Sequence, residues 1–399
     1  MKVLVISRMF PNATDPIQGI FVLRQVRELL KKHEIKVIAP VPWVPKALRW
    51  LSKKGRNYAS VRQRDRIEGI EVYYPRYLWG LRRRSLASLS LTLCLSRILG
   101  CLRWKSDVAH LHGVGALSEG LGAVLIRRYL NVPLILTVHG HDPFLDAAHQ
   151  PFHRWMIRFT FARVDRVIAV GPKLAELIAP FVNDRKKIRI IGNGIRVSEI
   201  PKKETHKETL YPGQKIVLTV GFLTRPKGVD FLLRALPGVC AEVPETRCLI
   251  IGEGPEQCRL VRLAEDLDLQ DRVFFMGRRP HDEVYRYMSL CDLFVLPSWR
   301  ESFGIVYLEA MSVGKPVIGC WGQGIEGIIR DGEEGLLVRP KDVSSLQEAM
   351  LRLLKDEELS TEMGRKGLQL VLEQYTWEQK AREIEGVYEE LTRIPDMDA

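Results

Sequence analysis

The sequence predicts an α/β protein built from two Rossmann-like, doubly wound parallel-sheet domains. Three observations predict it. The chain has 399 residues, more than one hydrophobic core organises, since cores stop growing at about 250–300 residues. Short apolar runs alternate with amphipathic helical runs almost throughout, which is how strands buried on both faces and their covering helices read. The alternation is interrupted by one polar, Pro- and Lys-containing stretch at 201–214 and then restarts, as at a linker.

The first series opens with a Val- and Ile-rich strand at 2–7, continues with strands at 35–39, 107–111, 134–138, 166–170 and 188–191, and carries helical periodicity at 21–32, 116–129 and 152–162. The second has strands at 216–220, 248–251, 273–276, 293–296, 317–318 and 335–338, each followed by a helical segment. Residues 357–391 read as helical throughout, with Trp377, Ile384, Val387 and Leu391 along one side. Such a stripe needs a surface to cover, and the expectation is that it crosses back onto the first domain. The expected domains are therefore 1–200 with a helix at about 377–394, and 201–376. Because open parallel sheets bind ligands beyond the carboxyl ends of their strands, two of them facing across a cleft would bind between them.

Composition narrows the class. At 46% hydrophobic and 27% charged residues, with no long low-complexity tract, the chain is globular. The apolar run after Met1 is too brief for a secretory segment, and no run of about 18 uncharged apolar residues exists, so a membrane span is not expected. The seven cysteines form no CxxC pair and no zinc-type spacing, which suits a reducing cytosol and a cytoplasmic protein. The net charge of +12 is concentrated: residues 46–105 hold 15 Lys plus Arg against 3 Asp plus Glu, the whole surplus. One basic segment points to a local anionic partner.

The richest stretch follows the strand ending at Leu296 and runs from Pro297 to Met311. It places Glu301 in a loop and Glu309 inside the next helix. With a helix starting near Phe303, both carboxylates could address one ligand, taking paired hydrogen bonds from vicinal hydroxyls, while the backbone N–H groups of Gly304 and Ile305 suit a phosphate. A helix capped by Ser302 with two solvated glutamates is the plainer reading. The loop Gly221–Gly228 puts two cations, Arg225 and Lys227, at a strand-to-helix turn, where they can hold a diphosphate. In the first domain His139 and Gly140 follow a strand end, and Gly19 precedes a helix, where backbone can approach a phosphate closely.

In this order the pieces resemble the family 4 retaining glycosyltransferases of the GT-B fold, similar to bacterial enzymes of cell-surface polysaccharides, from the opening strand to about Tyr375. The resemblance is carried by Glu301-x7-Glu309 within a "PS…E-x-FG…EAM…G-x-PV" pattern, by residues 137–140, by 191–195 with its Asn-Gly pair, and by 251–255, the G-x-GP turn that contains Gly254. It implies Glu301 on the donor sugar, Glu309 on the ribose, Lys227 on the diphosphate and His139 near the sugar. Gly19 then lends backbone to the phosphate, and Gly254, Phe303, Gly304 and Ile305 line the donor site. The family often has Arg directly after the basic loop's first glycine; here that residue is Phe222, and Arg225 is expected to supply the cation.

No cofactor and no metal are expected beyond the nucleoside-diphosphate sugar donor. The two Asp-x-Asp triplets, at 266–268 and 396–398, read as solvated surface. Trp50, Tyr77, Trp79 and Trp104 intersperse the basic residues of 46–105, and 85–102 is a Leu-rich helix. Such a segment can lie on an anionic membrane surface or pack against the first sheet, and can do both. The first option implies a lipid-linked or membrane-proximal acceptor and a peripheral cytoplasmic-face location. Gly322–Gly327 satisfies GxGxxG, but it lies late in the second series and not after an opening strand, so a dehydrogenase is disfavoured. A sugar-nucleotide epimerase or hydrolase is the nearer alternative, and a nucleic-acid binder is remote, because no nucleic-acid-binding signature accompanies the basic segment.

Overall fold

A computed structural model describes residues 1–45, 53–78, 84–102, 104–113, 121–140, 150–200 and 210–393. The chain divides into two compact units, Met1–Gly192 with Trp377–Ala399, and Asn193–Thr376.

Unit 1 contains, in chain order, β1 (Lys2–Ser7), β2 (Glu34–Ile38), β3 (Val41–Trp43), β4 (Arg64–Ile67), β5 (Ile70–Tyr73), β6 (Arg76–Leu78), β7 (Val108–Gly113), β8 (Leu134–Val138), β9 (Arg166–Ala169) and β10 (Ile188–Ile190). Among the described residues its main sheet runs β10-β9-β8-β7-β1-β2-β5-β4. All neighbours are parallel except β4 and β5. The chain builds outward from β1 in one direction and then returns to build the other way from β7, so the order reverses between β1 and β7. Sequence reading missed β3 to β6, which lie in or beside the basic segment. Glu68 (φ 47°) and Gly69 (φ 86°) form the two-residue turn that joins β4 to β5. There Arg64 pairs with Glu71, and the Arg76 guanidinium donates to the carbonyls of Tyr58 and Val61.

Unit 2 contains β11 (Lys215–Val220), β12 (Thr246–Ile251), β13 (Val273–Gly277), β14 (Leu293–Val295), β15 (Val317–Cys320) and β16 (Leu336–Val338), in the order β13-β12-β11-β14-β15-β16, all parallel. Its order reverses between β11 and β14. The two sheets are thus two Rossmann-like layouts, and each switch point directs a ligand to the carboxyl ends of the flanking strands.

The helical run after residue 357 is not continuous. It divides into Glu357–Gln374 and Trp377–Thr392, interrupted where Ile195 N–H donates to the Tyr375 carbonyl at 2.8 Å and residue 195 bridges Thr376. The second helix completes the core of unit 1, its Ala381, Ile384, Val387 and Tyr388 packing among Val3, Val22, Val26 and Leu29. Fully burying each of the larger side chains contributes about 1.5–3 kcal/mol. The segment 116–129 is described only from Leu121, as the short helices Leu121–Leu125 and Arg127–Leu130. In Arg84–Leu102, Leu91 and Leu95 are buried while Leu89 and Leu93 are exposed. No helix among the described residues is long and apolar enough to cross a membrane.

Candidate active site

The switch point of unit 2 brings together two of the expected residues. Lys227 stands in the turn after β11 and Glu301 in the loop after β14, and Lys227 Nζ lies 2.5 Å from Glu301 Oε2. Both loops are fixed by the backbone. Trp299 N–H donates to the Pro226 carbonyl at 2.9 Å, and the Ser298 hydroxyl donates to the same oxygen at 3.0 Å. Gly228 adopts φ 69°, and a Cβ there would lie 2.1 Å from the Pro297 carbonyl oxygen, so only glycine lets the two loops approach this closely. Glu301 is held from its other side: its N–H donates to Gln323 Oε1 at 3.0 Å, and its carbonyl accepts from Gly324 N–H at 3.0 Å. The Gly-rich segment 322–327 therefore buttresses the acidic loop.

The helix after this loop begins at Ile305, not near Phe303. Gly304 is its N-cap at φ 82°, so Ser302 does not occupy the N-cap position. Glu309 is buried within it, 5% exposed. His281 Nε2 lies 2.9 Å from Glu309 Oε1, and His281 Nδ1 lies 3.6 Å from Glu199 Oε2. Contact with one imidazole does not by itself use up the acceptor sites of a carboxylate. His281 carried no signal in the sequence, and Gln323 was seen only as part of the Gly322–Gly327 segment, because both act on the acidic loop and helix across tertiary contacts.

The remaining expected donor residues are placed differently. The Arg225 side chain is 74% exposed, against 24% for Lys227, and its Nε reaches Glu256 at 3.5 Å, so Lys227 is the sequestered cation. The Phe303 ring is buried, 6.3 Å from the Tyr375 ring, and serves as packing around the loop. Gly254 backs onto the backbone of Leu223 in the loop that leads to Arg225. The carboxylates of 266–268 fall at the end of the helix Gln257–Asp266, and those of 396–398 lie outside the described residues. Among the described residues no group of three or more His, Cys, Asp or Glu side chains is arranged to hold a metal.

In unit 1, Gly19 caps the helix Ile20–Leu29 at φ 67°, with the Met9 carbonyl oxygen 2.2 Å from where a Cβ would be. Its glycine identity is thus required by the turn itself. His139 follows β8 and belongs to a column of imidazoles. The rings of His110 and His112 stack at 4.2 Å, and those of His112 and His139 at 5.4 Å. Phe21 packs 4.7 Å from His139. Burial, with a smaller contribution from the neighbouring His139, lowers His110 to about 3; burial lowers His139 to about 3 and holds His112 well below its ordinary value, so all three are neutral near pH 7. His141 and Asp142 lie outside the described residues.

Two Rossmann-like units, one presenting a lysine and two glutamates at its switch point, define the class of GT-B glycosyltransferases that use a nucleoside-diphosphate sugar. The comparisons with known proteins agree. Residues 18–199 match the family described as Glycosyltransferase Family 4, and residues 201–370 match Glycosyl transferases group 1. The chain belongs to this family, the group 1 glycosyltransferases. It is 30% identical over 297 residues to N-acetyl-alpha-D-glucosaminyl L-malate synthase of Bacillus anthracis, covering 73% of this chain and 76% of that protein. It is 27% identical to the putative teichuronic acid biosynthesis glycosyltransferase TuaC of Bacillus subtilis, over 98% of this chain and 99% of the relative. Its fold matches sucrose-phosphate synthase from Thermosynechococcus elongatus with a TM-score of 0.81 at 20% identity, covering 98% of this chain and 99% of the other.

Proposed function

We propose that this glycosyltransferase moves a hexosyl unit from a nucleoside-diphosphate sugar to a hydroxyl acceptor with retention at the anomeric carbon. The observation that carries the proposal is the Lys227–Glu301 pair at the switch point of unit 2. In this reading Lys227 is a diphosphate ligand waiting on its substrate. When the donor binds, the β-phosphate takes Lys227, and Glu301 turns to the sugar hydroxyls, while Glu309, kept in place by His281, accepts from the ribose hydroxyls. The backbone around Gly304 and Ile305 lies beside the phosphates, and His139 of unit 1 serves the sugar.

The chemistry then needs no enzyme nucleophile. The bond from the anomeric carbon to the phosphate oxygen breaks with its electron pair leaving on the diphosphate, and the sugar becomes oxocarbenium-like. The acceptor oxygen attacks from the face the phosphate leaves, and its proton passes to a phosphate oxygen. Lys227 stabilises the charge that develops on the leaving group. No metal is assigned a part: a lysine and backbone N–H groups supply the positive potential that a divalent cation supplies in other diphosphate sites.

The acceptor is proposed to be a glycan, lipid-linked or membrane-proximal, in polysaccharide assembly. The relative of matching length whose name refers to teichuronic acid supports this, as do the exposed Leu89 and Leu93 within the basic segment. The test takes UDP-, GDP- and ADP-sugars, ranks them by the rise in melting temperature they produce, since a ligand of the native state stabilises it in proportion to affinity, and follows the best by NMR with and without acceptor. An α-linked product from an α-linked donor, formed equally in EDTA, is expected; a β-linked product excludes retention, and turnover of the donor that ignores acceptor favours an epimerase or hydrolase. Flotation with anionic but not neutral liposomes is the expected result for a peripheral protein, and equal flotation with both removes the charge-based attachment.

A further inference from the structure

The His112–His139 pair at the carboxyl end of the unit 1 sheet has a direction. The side-chain amide nitrogen of Gln25, from the helix Ile20–Leu29, lies 3.4 Å from Nε2 of His112. An amide nitrogen only donates, so His112 Nε2 accepts and the ring proton of the neutral imidazole resides on Nδ1. That Nδ1 lies 3.1 Å from His139 Nε2 and donates to it. The lone pair of His139 Nε2 is thereby occupied, and its one proton is left on Nδ1. His139 Nδ1 is buried and finds no hydrogen-bond partner among the described residues, an arrangement a protein tolerates where something else completes it.

The third ring shows that this direction is a property of the pair and not of the column. His110 has a hydroxyl at each nitrogen, Tyr388 at 2.6 Å from Nδ1 and Thr137 at 2.7 Å from Nε2. Hydroxyls donate or accept, so neither tautomer is imposed on it. Gln25 and His112 are both buried, which removes water as a competing partner.

We propose that Gln25 and His112 are positioning residues that set the tautomer of His139, so that the enzyme presents a neutral Nδ1–H donor to an oxygen of the sugar substrate. The inference rests on the reading of His139 as a group that serves the sugar, and it specifies what that group offers: a donor for a hydroxyl or ring-oxygen lone pair, with no acceptor function. A substrate position bearing oxygen is then accepted and one bearing an ammonium group is not.

The tautomer is measured directly on the whole protein by long-range proton–nitrogen correlation of the imidazoles near pH 7, with His139 assigned through His139→Asn. Nδ1–H forms of both His112 and His139 are expected; an Nε2–H form of His139 overturns the proposal without any variant being needed. Gln25→Glu places a group of the same shape that only accepts when ionised; facing a neutral His112 it draws the ring proton to Nε2, and His139 is expected to follow. With the sugar nucleotide that raises the melting temperature most, that inversion is expected to lower kcat/KM at least tenfold in the folded protein. Inversion with unchanged kcat/KM, or lost activity with both tautomers unchanged, overturns the assignment. If His139→Asn itself keeps full activity, the reading of His139 as a sugar contact fails instead, an outcome separable from the tautomer spectrum.

Discussion

Lys227 Nζ and Glu301 Oε2 stand 2.5 Å apart across the two loops that leave the innermost strands of unit 2. Each side chain is mostly covered, so the pair is a charge couple held largely away from solvent.

Replacing Lys227 by Ala is expected to lower kcat by about 10² to 10³, the usual effect of losing one preorganised donor at a developing negative charge. Steady-state kinetics with saturating donor checks this, and near-normal turnover would remove Lys227 from the mechanism.

Glu309→Gln should act on binding. A charged hydrogen bond to a ribose hydroxyl contributes about 1.5–3 kcal/mol, so the donor KM is expected to rise by roughly 10- to 100-fold with kcat little changed. Isothermal titration with the nucleoside diphosphate alone should show the same loss, because the ribose is present and the sugar is not.

Gly228→Ala brings a Cβ against the Pro297 carbonyl at 2.1 Å and strains a residue at φ 69°. Gly277 has φ 66° but nothing within 4 Å of its would-be Cβ. Gly277→Ala therefore carries the conformational cost alone, about 1–2 kcal/mol, and Gly228→Ala that cost plus the collision. Calorimetry should show Gly228→Ala melting clearly below Gly277→Ala, and equal melting temperatures would mean the loops are not clamped.

Stability should fall with acid in a defined window. The folded values of His110 and His139, lowered to about 3 from 6.5 by burial, mean that the unfolded chain binds these protons first. Their contribution is complete above pH 6.5 and is lost as the pH falls from 6.5 toward about 3, at about 1.4 kcal/mol per pH unit for each histidine once the unfolded form is protonated. Denaturant melts between pH 7.5 and 5 check the slope. His110→Gln should flatten it, since glutamine does not titrate.

Much of this was legible in the sequence because parallel strands are buried on both faces and leave unbroken Val, Ile and Leu runs. The strands that escaped notice have only three or four residues each: β4 reads Arg-Asp-Arg-Ile, and charge hides its period. The break at Tyr375–Thr376 was hidden for a different reason, since it coincides with a bond from Ile195, a residue far away in the sequence. At the site, Lys227, Glu301 and Glu309 stand in motif positions that follow strands. His281, Gln323, Gln25 and His112 come from distant parts of the chain, and their partners are set by packing, which spacing does not report.

The helix Trp377–Thr392 fixes the order in which the molecule can be completed during synthesis. Ile384, Val387 and Tyr388 fill the core around Val3 and Val26, yet the ribosome makes them only after every residue of the second unit. Unit 2 is contiguous and can fold as it emerges, whereas the first-made unit must wait, its apolar groove open, for the last helix to arrive. The His110–Tyr388 bond closes only at that moment, after every residue of unit 2 has been made.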